Sequence, residues 1–271
     1  MADFTLRKVN RADVPALTRL WAETFGDSER LIADFFRLLP AMGVGLTAER
    51  DGALLGAAYA ITGLELVTPE GAKQACGYLY AVAVTPSARH MGAGRALSCA
   101  CAKAAADLGC RLFCTQPAAE SLFAWYEEIL GMRCALRRRE ETGPAAALEP
   151  GMELSPTDYR FWRERLLTSL PHIRLGDGAL LFQHSLCKSY GGGFFAVGDA
   201  VAAAYLDEGR CVIRELLCPE GTDRRALAAS LAAHLGVGEA LLCTPDPAGA
   251  PYIAAVAGAL PADCIWNLSF D

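Results

Sequence analysis

The sequence predicts an α+β fold in three layers, with a mixed, mostly antiparallel central sheet flanked by helices. Apolar residues recur at helical spacing near the N-terminus, and β-like runs follow them. An amphipathic helix then leads into a short apolar strand, an order typical of a sheet covered by helices. With 271 residues, the chain is long enough for two domains of ordinary size.

The first elements are two helices and a meander. Apolar positions recur at helical spacing through residues 12–39, with a break at "FGDSE". Residues 44–50 and 53–63 then indicate two strands joined by an Asp-Gly turn. The run "CGYLYAVAV" at residues 76–84 predicts the longest strand, which completes an antiparallel meander.

Further helices and strands complete this first unit. The segment "GRALSCACAKAAADLG" is predicted to be an amphipathic helix because one apolar stripe runs along it: Leu97, Cys101, Ala104 and Leu108. Gly109 offers a stop for this helix. After it, "CRLFCT" predicts a buried strand, "SLFAWYEEILG" a short helix and "MRCALRRRE" a last strand.

A domain boundary is expected near Pro150. The stretch "EETGPAAALEPGMELSP" is rich in Pro, Gly and Ala and lacks periodicity, which is typical of a linker. We therefore expect a first domain over residues 1–143, a linker over 144–157 and a second domain over 158–271.

The second half repeats the order of the first. In each half a β-like run ends at a proline, Pro86 or Pro219, and a helix follows. The next strands also match, because "LGCRLFCTQP" in the first half is similar to "LGVGEALLCTPDP" in the second. Between the proline and the helix the first half has two glycines, whereas the second has only one, in "EGTDRRA". This pattern indicates one fold used twice, with "CIWNLSF" expected as a strand that completes a sheet at the chain end.

Composition excludes several classes of protein. No apolar run reaches the roughly 18 residues of a membrane span, and the N-terminal residues resemble neither an export nor a transit sequence, so a soluble cytoplasmic protein is expected. The net charge is −6 and the basic residues are scattered, which argues against a nucleic-acid partner. The acidic balance weakly favours cationic small molecules as substrates.

The cysteines and histidines do not indicate a metal site. The chain has 11 cysteines, an odd number, and most lie in apolar stretches, so we expect reduced core residues. Cys99 and Cys101 point apart on their predicted helix, and no Cys-x-x-Cys pairs with another. The four histidines also lack metal-ligand spacing.

The segment "VTPSARHMGAGRAL" at residues 84–97 requires an explanation for its two glycines. A P-loop is excluded because no Gly-Lys-Ser/Thr follows, and a dinucleotide fingerprint fits poorly because Leu97 stands where a third glycine belongs. The remaining interpretation is a turn at residues 89–94 that exposes the first N–H groups of a helix to a pyrophosphate. Arg89 and Arg95 either add contacts to phosphate or are simply solvated.

These residues carry a family resemblance. The segment "AVAVTPSARHMGAGRAL" resembles motif A of the GCN5-related N-acetyltransferases (GNAT), in which Arg/Gln-x-x-Gly-x-Gly/Ala follows a strand ending in proline. "FAWYEEILGMR" looks like the Tyr-x-x-x-Gly-Phe ending of that family, and the resemblance covers roughly residues 4–140. It implies the GNAT fold, duplicated here with a degenerate second half, and acetyl-CoA as co-substrate without a metal.

The resemblance also implies where acetyl-CoA binds. The opening would lie where the strand at 78–84 splays from the strand at 111–116, with pantetheine along the backbone of the first strand. Backbone N–H groups near Val82 and Ala83 would polarise the thioester carbonyl. The implied cofactor-binding residues are Val82, Ala83, Val84, Arg89, His90, Met91, Gly92, Ala93, Gly94 and Arg95.

Tyr126 is the implied general acid for the departing thiolate, and the alternative is a tyrosine packed on its helix. The chain departs from the family at Ala119, where an asparagine often stands, so Gln116 or Ser121 is expected to supply a polar contact if one is present. Met132 replaces the final phenylalanine of the tyrosine segment.

The general base is less determined. Glu65 on the meander is a candidate, and its alternatives are an exposed strand carboxylate with no role and deprotonation by solvent. Asp27 and Glu29 are candidates for lining the acceptor pocket. The alternative is that they serve as a helix cap and as part of a solvated first turn. Tyr80 shares strand parity with Val82, so it is also expected to reach the cleft.

The sequence thus favours an N-acetyltransferase that moves the acetyl group directly to a primary amine of a small molecule or peptide. The second half would close the acceptor groove, form homodimer contacts or add stability. Two alternatives stay open at this point: a non-catalytic acyl-CoA sensor, and an interaction module that inherited the fold.

Overall fold

The computed structural model describes residues 4–256 and 260–270. Within them the α-helices are α1 (Val14–Phe25), α2 (Glu29–Met42), α3 (Ala93–Asp107), α4 (Ser121–Leu130), α5 (Pro156–Leu166), α6 (Asp177–Ser189) and α7 (Arg224–His234). The strands are β1 (Thr5–Lys8), β2 (Gly43–Arg50), β3 (Ala53–Val67), β4 (Lys73–Val84), β5 (Leu112–Thr115), β6 (Met132–Pro144), β7 (Gly151–Leu154), β8 (His172–Leu175), β9 (Gly193–Val197), β10 (Ala200–Asp207), β11 (Arg210–Leu217), β12 (Glu239–Pro245) and β13 (Ala250–Val256).

One continuous mixed sheet runs through the protein. Its order is β1-β2-β3-β4-β5-β13-β6-β12-β11-β10-β9-β7, with β8 paired to β3. The pairs β4/β5 and β11/β12 are parallel, and the other pairs among the described strands are antiparallel. The predicted α+β class, with a mostly antiparallel sheet between helices, is confirmed.

The same arrangement occurs in both halves. Each half has one parallel strand pair, whose strands are connected in the chain through a helix, α3 or α7. The halves also interlock, because β13 lies between β5 and β6 while β6 pairs with β12. Residues 144–157, the expected linker, include β7 on one edge of the sheet. The limits assigned to the two domains stay a prediction.

The two N-terminal helices form where the apolar spacing predicts them. Helix α1 ends at Gly26, whose φ of +78° is the left-handed conformation that glycine adopts easily. Ser28 then begins α2, since its side chain accepts a hydrogen bond from the Leu31 N–H. Trp21 and Phe35 are buried in the core between these helices and the sheet.

Helix α3 packs closely on the sheet. Leu97 and Cys101 are buried as predicted, but the stripe continues through Ala105 rather than through Ala104 and Leu108. Leu108 is exposed because the helix ends at Asp107, one residue before it. A Cβ on Gly77 of β4 would lie 2.8 Å from the Cβ of Ala105, so this glycine allows the close approach of α3.

The expectation that "CIWNLSF" forms a strand is wrong. Within the described residues this segment makes one isolated bridge, between Ile265 and His172, and β13 takes the sheet position beside β5 instead. Beyond Ile265, whose N–H and carbonyl bond to the backbone of Pro171 and Ile173, the segment bonds to side chains: Tyr252 donates to the Trp266 carbonyl at 2.7 Å. The Trp266 side chain is fully buried between the two halves.

The cysteines are free thiols. Most are buried as expected, and burial raises the pKa of Cys101 to about 12. Cys99 and Cys134 depart from the expectation because their side chains are exposed. Within the described residues, the acidic, histidine and cysteine side chains do not form a group that could hold a metal. No helix in the described part of the chain is long and apolar enough to cross a membrane.

Candidate active site

A cavity opens where two parallel strands separate. β4 and β5 stay in register from Cys76/Leu112 to Tyr78/Cys114, and the pairing ends there. Just beyond, β4 contains a bulge, because Ala58 of β3 faces both Ala81 and Val82, and Ala81 has a left-handed φ of +47°. The separated strands border a cavity of about 450 Å³.

Both halves of the chain line this cavity. The N-terminal half contributes the end of β4, the residues after β5, helix α4 and the connection between α1 and α2. The C-terminal half contributes Tyr190 after α6, Tyr205 and Asp207 from β10, and Ser269 and Phe270 near the chain end. A site of this volume and mixed apolar lining suits a small molecule.

The glycine-bearing turn ends in a helix whose first N–H groups are unused. Gly92 precedes α3 with a φ of +84°, and no side chain caps this helix. The first helical bond runs from the Ala96 N–H to the Gly92 carbonyl at 3.0 Å. The N–H groups of residues 93–95 therefore have no partner within the helix, and they point outward at the positive end of the helix dipole, a geometry that favours anions.

The corresponding helix of the second half differs at this point. Asp223 begins α7, and its carboxylate accepts hydrogen bonds from the backbone N–H groups of Arg225 at 3.0 Å and Ala226 at 3.1 Å. The chain's own negative charge thus occupies the end of α7 that corresponds to the open end of α3.

Tyr126 lies on α4 and lines the cavity. Its side chain is 6% exposed, and its hydroxyl shares a hydrogen bond with Thr115. Burial raises the pKa of Tyr126 above its ordinary value, while the bond to Thr115 opposes this shift. The phenol is therefore protonated at neutral pH and is able to donate a proton inside the cavity.

The model of the acetyltransferase (GNAT) family matches residues 10–132. These residues contain the splayed strand, the uncapped helix and the cavity tyrosine. This segment of the chain belongs to the GNAT family. Membership of the family supports acyltransferase activity. No curated protein matches the sequence.

Solved structures share the fold over most of the chain. A probable N-acyltransferase from Enterococcus faecalis superposes with a TM-score of 0.69 at 14% identity, covering 93% of this chain and 72% of that chain. A GCN5-related N-acetyltransferase from Kribbella flavida superposes with a TM-score of 0.67 at 14% identity, covering 93% of this chain and 71% of that chain. Another GCN5-related N-acetyltransferase, from Anabaena variabilis, has a TM-score of 0.67 at 12% identity, covering 93% of this chain and 72% of that chain. At such identities these likenesses show the GNAT fold alone.

The cofactor-binding residues predicted for the GNAT segment lie along one path. Val82 lines the cavity, while Ala83 and Val84 continue β4 toward the turn. Arg89 and His90 are exposed in that turn. Arg95 forms an ion pair with Glu128 of α4. Binding of acetyl-CoA by these residues stays a prediction.

Glu65 is not brought to this path. It lies on β3 opposite Arg174 of β8, with 3.9 Å between a carboxylate oxygen and the guanidinium, and it is not among the residues that line the cavity. Glu29 is exposed in the first turn of α2 and also lies outside the lining. Neither carboxylate is placed to accept a proton in the cavity.

Asp27, by contrast, is a cavity residue rather than a helix cap. Its carboxylate accepts hydrogen bonds from the indole N–H of Trp21 at 2.7 Å and from the hydroxyl of Tyr190. Tyr190 belongs to the C-terminal half, so this bond joins the two halves at the cavity wall. Tyr80 also lines the cavity, as its strand parity predicts.

Gln116 holds the chain end rather than standing free. Its side-chain oxygen accepts a hydrogen bond from the Ser269 hydroxyl, and its backbone N–H donates to the Tyr78 hydroxyl at 3.1 Å. Tyr78 in turn donates to the Ser269 carbonyl at 2.9 Å. Ser121 and Ala119 do not line the cavity. The polar group on this side of the cavity is therefore the linked pair Gln116 and Ser269.

Sequence reasoning missed the cavity residues of the C-terminal half. Tyr190, Tyr205 and Asp207 are ordinary residues at the end of a helix and along a strand, and no local motif marks them. Their one sequence signal is the inferred duplication, which makes the second half a candidate wall of the groove.

Proposed function

We propose that this protein transfers the acetyl group of acetyl-CoA to a primary amine by direct attack in a ternary complex. The observation that carries the proposal is the uncapped N-terminus of α3 beside the end of the splayed strand β4. The helix N-terminus, which favours anions, lies next to a strand edge that has no partner strand. This arrangement suits a ligand with a pyrophosphate and an amide-bearing arm.

The chain's residues fit acetyl-CoA at both ends. The N–H groups of residues 93–95 would bind the pyrophosphate, and the open space around Gly92 leaves the backbone accessible. The backbone of residues 82–84 would pair with the pantetheine arm, because β5 no longer pairs with β4 there. Arg89 is exposed at the turn, where its charge would favour phosphate.

Two groups would act on the thioester. Backbone N–H groups near Val82 and Ala83 would polarise its carbonyl as the C–N bond forms. Tyr126 would donate its proton to the sulfur as the C–S bond breaks, since its raised pKa keeps the phenol protonated at neutral pH. Solvent then returns a proton to Tyr126.

Water is the proposed acceptor of the amine protons. Glu65 lies outside the cavity, and both oxygens of Asp27 already accept hydrogen bonds, from the Trp21 indole and the Tyr190 hydroxyl. The amine would lose one proton before attack and a second as the amide forms. Both protons leave through the open cavity.

Thermal unfolding with CoA and acetyl-CoA tests the proposal. Either ligand is expected to raise Tm, and the stabilisation should grow with the logarithm of the ligand concentration once that concentration exceeds the Kd. Gly92→Trp should abolish this rise, because the side chain would cover the helix N-terminus. Acetyl transfer is then followed as thiol release with a panel of primary amines.

Gly221→Trp is the matched control. Gly221 has a φ of +83° against +84° for Gly92, and a Cβ added at either glycine would meet no atom within 4 Å, so the two substitutions carry similar backbone strain. Gly221 precedes α7, whose N-terminus Asp223 caps, so its variant should keep the ligand-induced rise. No rise with either ligand in the wild type would overturn the proposal, and a rise without thiol release in the presence of amines would leave an acyl-CoA-binding module.

A further inference from the structure

The cavity is lined by charges of one sign. Among the described residues that line it, the charged side chains are Asp27 and Asp207, and both are acidic. Asp27 comes from the connection between α1 and α2, and Asp207 from the end of β10, so each half supplies one carboxylate. An anionic acceptor would meet two like charges here, whereas a cation would be attracted.

Two hydrogen bonds fix the position of the Asp27 carboxylate in the cavity wall. The Trp21 indole N–H bonds one carboxylate oxygen at 2.7 Å, and the Tyr190 hydroxyl bonds the other. These bonds therefore hold the carboxylate in a fixed position in the cavity, where it can bind a cation.

Aromatic side chains line the same cavity as this carboxylate. Phe25 and Tyr190 line the cavity and keep about two-fifths of their surface exposed, at 43% and 41%. The Trp21 and Phe25 ring centroids lie 5.7 Å apart, and those of Tyr190 and Tyr205 lie 6.0 Å apart. Ring faces beside a carboxylate attract alkylammonium groups, and their apolar surface packs on methylenes.

The Tyr205 ring already makes a cation–π contact with an arginine of this chain. The guanidinium of Arg214 lies 5.5 Å from the Tyr205 ring centroid and donates to the Tyr205 hydroxyl at 2.7 Å. Arg214 itself is not among the cavity-lining residues. Phe25 and Tyr190 are therefore the rings we assign to the ligand.

These charges do not serve the reacting nitrogen. That nitrogen must be neutral to attack, and a carboxylate beside it would stabilise its protonated form and slow the reaction. We propose that the acceptor is a small diamine or polyamine, and that Asp27 and Asp207 bind its second, non-reacting ammonium group. This inference rests on the proposed function and names its acceptor class.

Three matched acceptors test the inference: 1,4-diaminobutane, 4-amino-1-butanol and butylamine. With acetyl-CoA saturating, the diamine is expected to give about tenfold higher kcat/KM than butylamine, mainly through a lower KM, and tenfold corresponds to about 1.4 kcal/mol. Asp27→Asn and Asp207→Asn should each reduce the ratio of diamine to butylamine kcat/KM. Asp34→Asn is the control, because Asp34 pairs with Arg37 on α2 outside the cavity lining, and it should preserve the ratio.

Binding of 1,4-diaminobutane in the presence of CoA, measured by calorimetry, gives a second readout. Binding should weaken in both cavity variants, and Asp207→Asn alters an exposed side chain, so it is the variant expected to keep the native Tm. Equal kcat/KM for the three amines would overturn the inference and leave the proposed function standing. Asp-dependent diamine binding without acetyl transfer would support the cationic site and contradict the proposed function. Absence of both binding and transfer would contradict both.

Discussion

The hydroxyl of Tyr190 donates a hydrogen bond to the carboxylate of Asp27, across 163 residues of chain and between the two halves. Burial raises the pKa of Tyr190, and the hydrogen bond and charge of Asp27 raise it further. The phenol therefore stays protonated over the physiological range and keeps donating. One wall of the cavity depends on this contact between the halves.

Tyr190→Phe should weaken acceptor binding. The substitution removes one hydrogen bond to a charged group, which is worth about 1.5–3 kcal/mol, and part of this loss should appear as a several-fold higher KM for the amine. Steady-state rates at saturating acetyl-CoA measure it. The CoA-induced rise in Tm is the internal control, because Tyr190 lies away from the turn before α3. An unchanged amine KM would show that this contact does not shape the acceptor site.

Tyr126→Phe should lower kcat while leaving CoA binding intact. General acid catalysis contributes about 10²–10⁴-fold, and the weakly basic thiolate leaving group places the expected loss at the lower end. Loss of the bond to Thr115 should cost about 1 kcal/mol of stability. Single-turnover thiol release measures the chemical step, and a kcat within twofold of the wild type would contradict the assigned role.

The pH profile gives the same residue a second test. A general acid works while protonated, so its contribution is lost as pH rises through its pKa. Because burial raises the pKa of Tyr126 above its ordinary value of about 10, the wild-type rate should show no basic limb from this group below pH 10. A basic limb near pH 8 that disappears in Tyr126→Phe would contradict this.

Turns whose geometry depends on a few neighbouring residues could be predicted from the sequence. The Asp-Gly turn between β2 and β3 and the glycines before α3 appear in the structure where the sequence places them, because turn geometry restricts residue type. The opening between β4 and β5 followed from the family resemblance.

Long-range pairings could not be predicted in this way. "CIWNLSF" is as apolar as a strand, yet β13 takes the sheet position and Trp266 fills the space between the halves. Asp27 resembled a helix cap because Ser28 and Asp27 are both good capping residues, and only the position of Tyr190 distinguishes their roles. Glu65 is a candidate by strand position alone, and the pairing of β8 with β3 places it opposite Arg174, a contact that no local pattern predicts.

A buried ion pair should dominate the stability of the C-terminal half. The Glu215 carboxylate is fully buried and accepts hydrogen bonds from Arg163 Nε at 2.7 Å and from the Tyr159 hydroxyl at 2.6 Å. Burial alone lowers the pKa of Arg163, but the charge and hydrogen bonds of Glu215 more than offset this, so its net pKa is raised. Glu215→Gln removes the fully buried counter-charge and leaves this guanidinium with Glu164 alone, at 3.1 Å, so it should lower the free energy of unfolding by up to about 3–5 kcal/mol.

Urea unfolding of a double-mutant cycle measures this pair. Arg163→Met combined with Glu215→Gln should cost less than the sum of the single changes, because the double variant no longer buries a guanidinium that has lost the Glu215 charge. Tyr159→Phe should cost about 1–3 kcal/mol, since it leaves the pair intact. If Glu215→Gln lowers the free energy of unfolding by less than 1 kcal/mol, the prediction is wrong, and the site hydrates or relaxes when the charge is removed.

The chain should bind one CoA molecule, although each half contains a parallel strand pair connected through a helix. At α3 the N–H groups of residues 93–95 are open, whereas at α7 the Asp223 carboxylate accepts from two N–H groups and would repel a phosphate. Isothermal titration with CoA should therefore give a stoichiometry of one per chain. Asp223→Asn keeps an oxygen for capping and removes the charge, so it should retain this stoichiometry while costing at most about 1 kcal/mol. A stoichiometry of two in the wild type would show that a side-chain cap does not exclude the ligand, and that the second half keeps a working cofactor site.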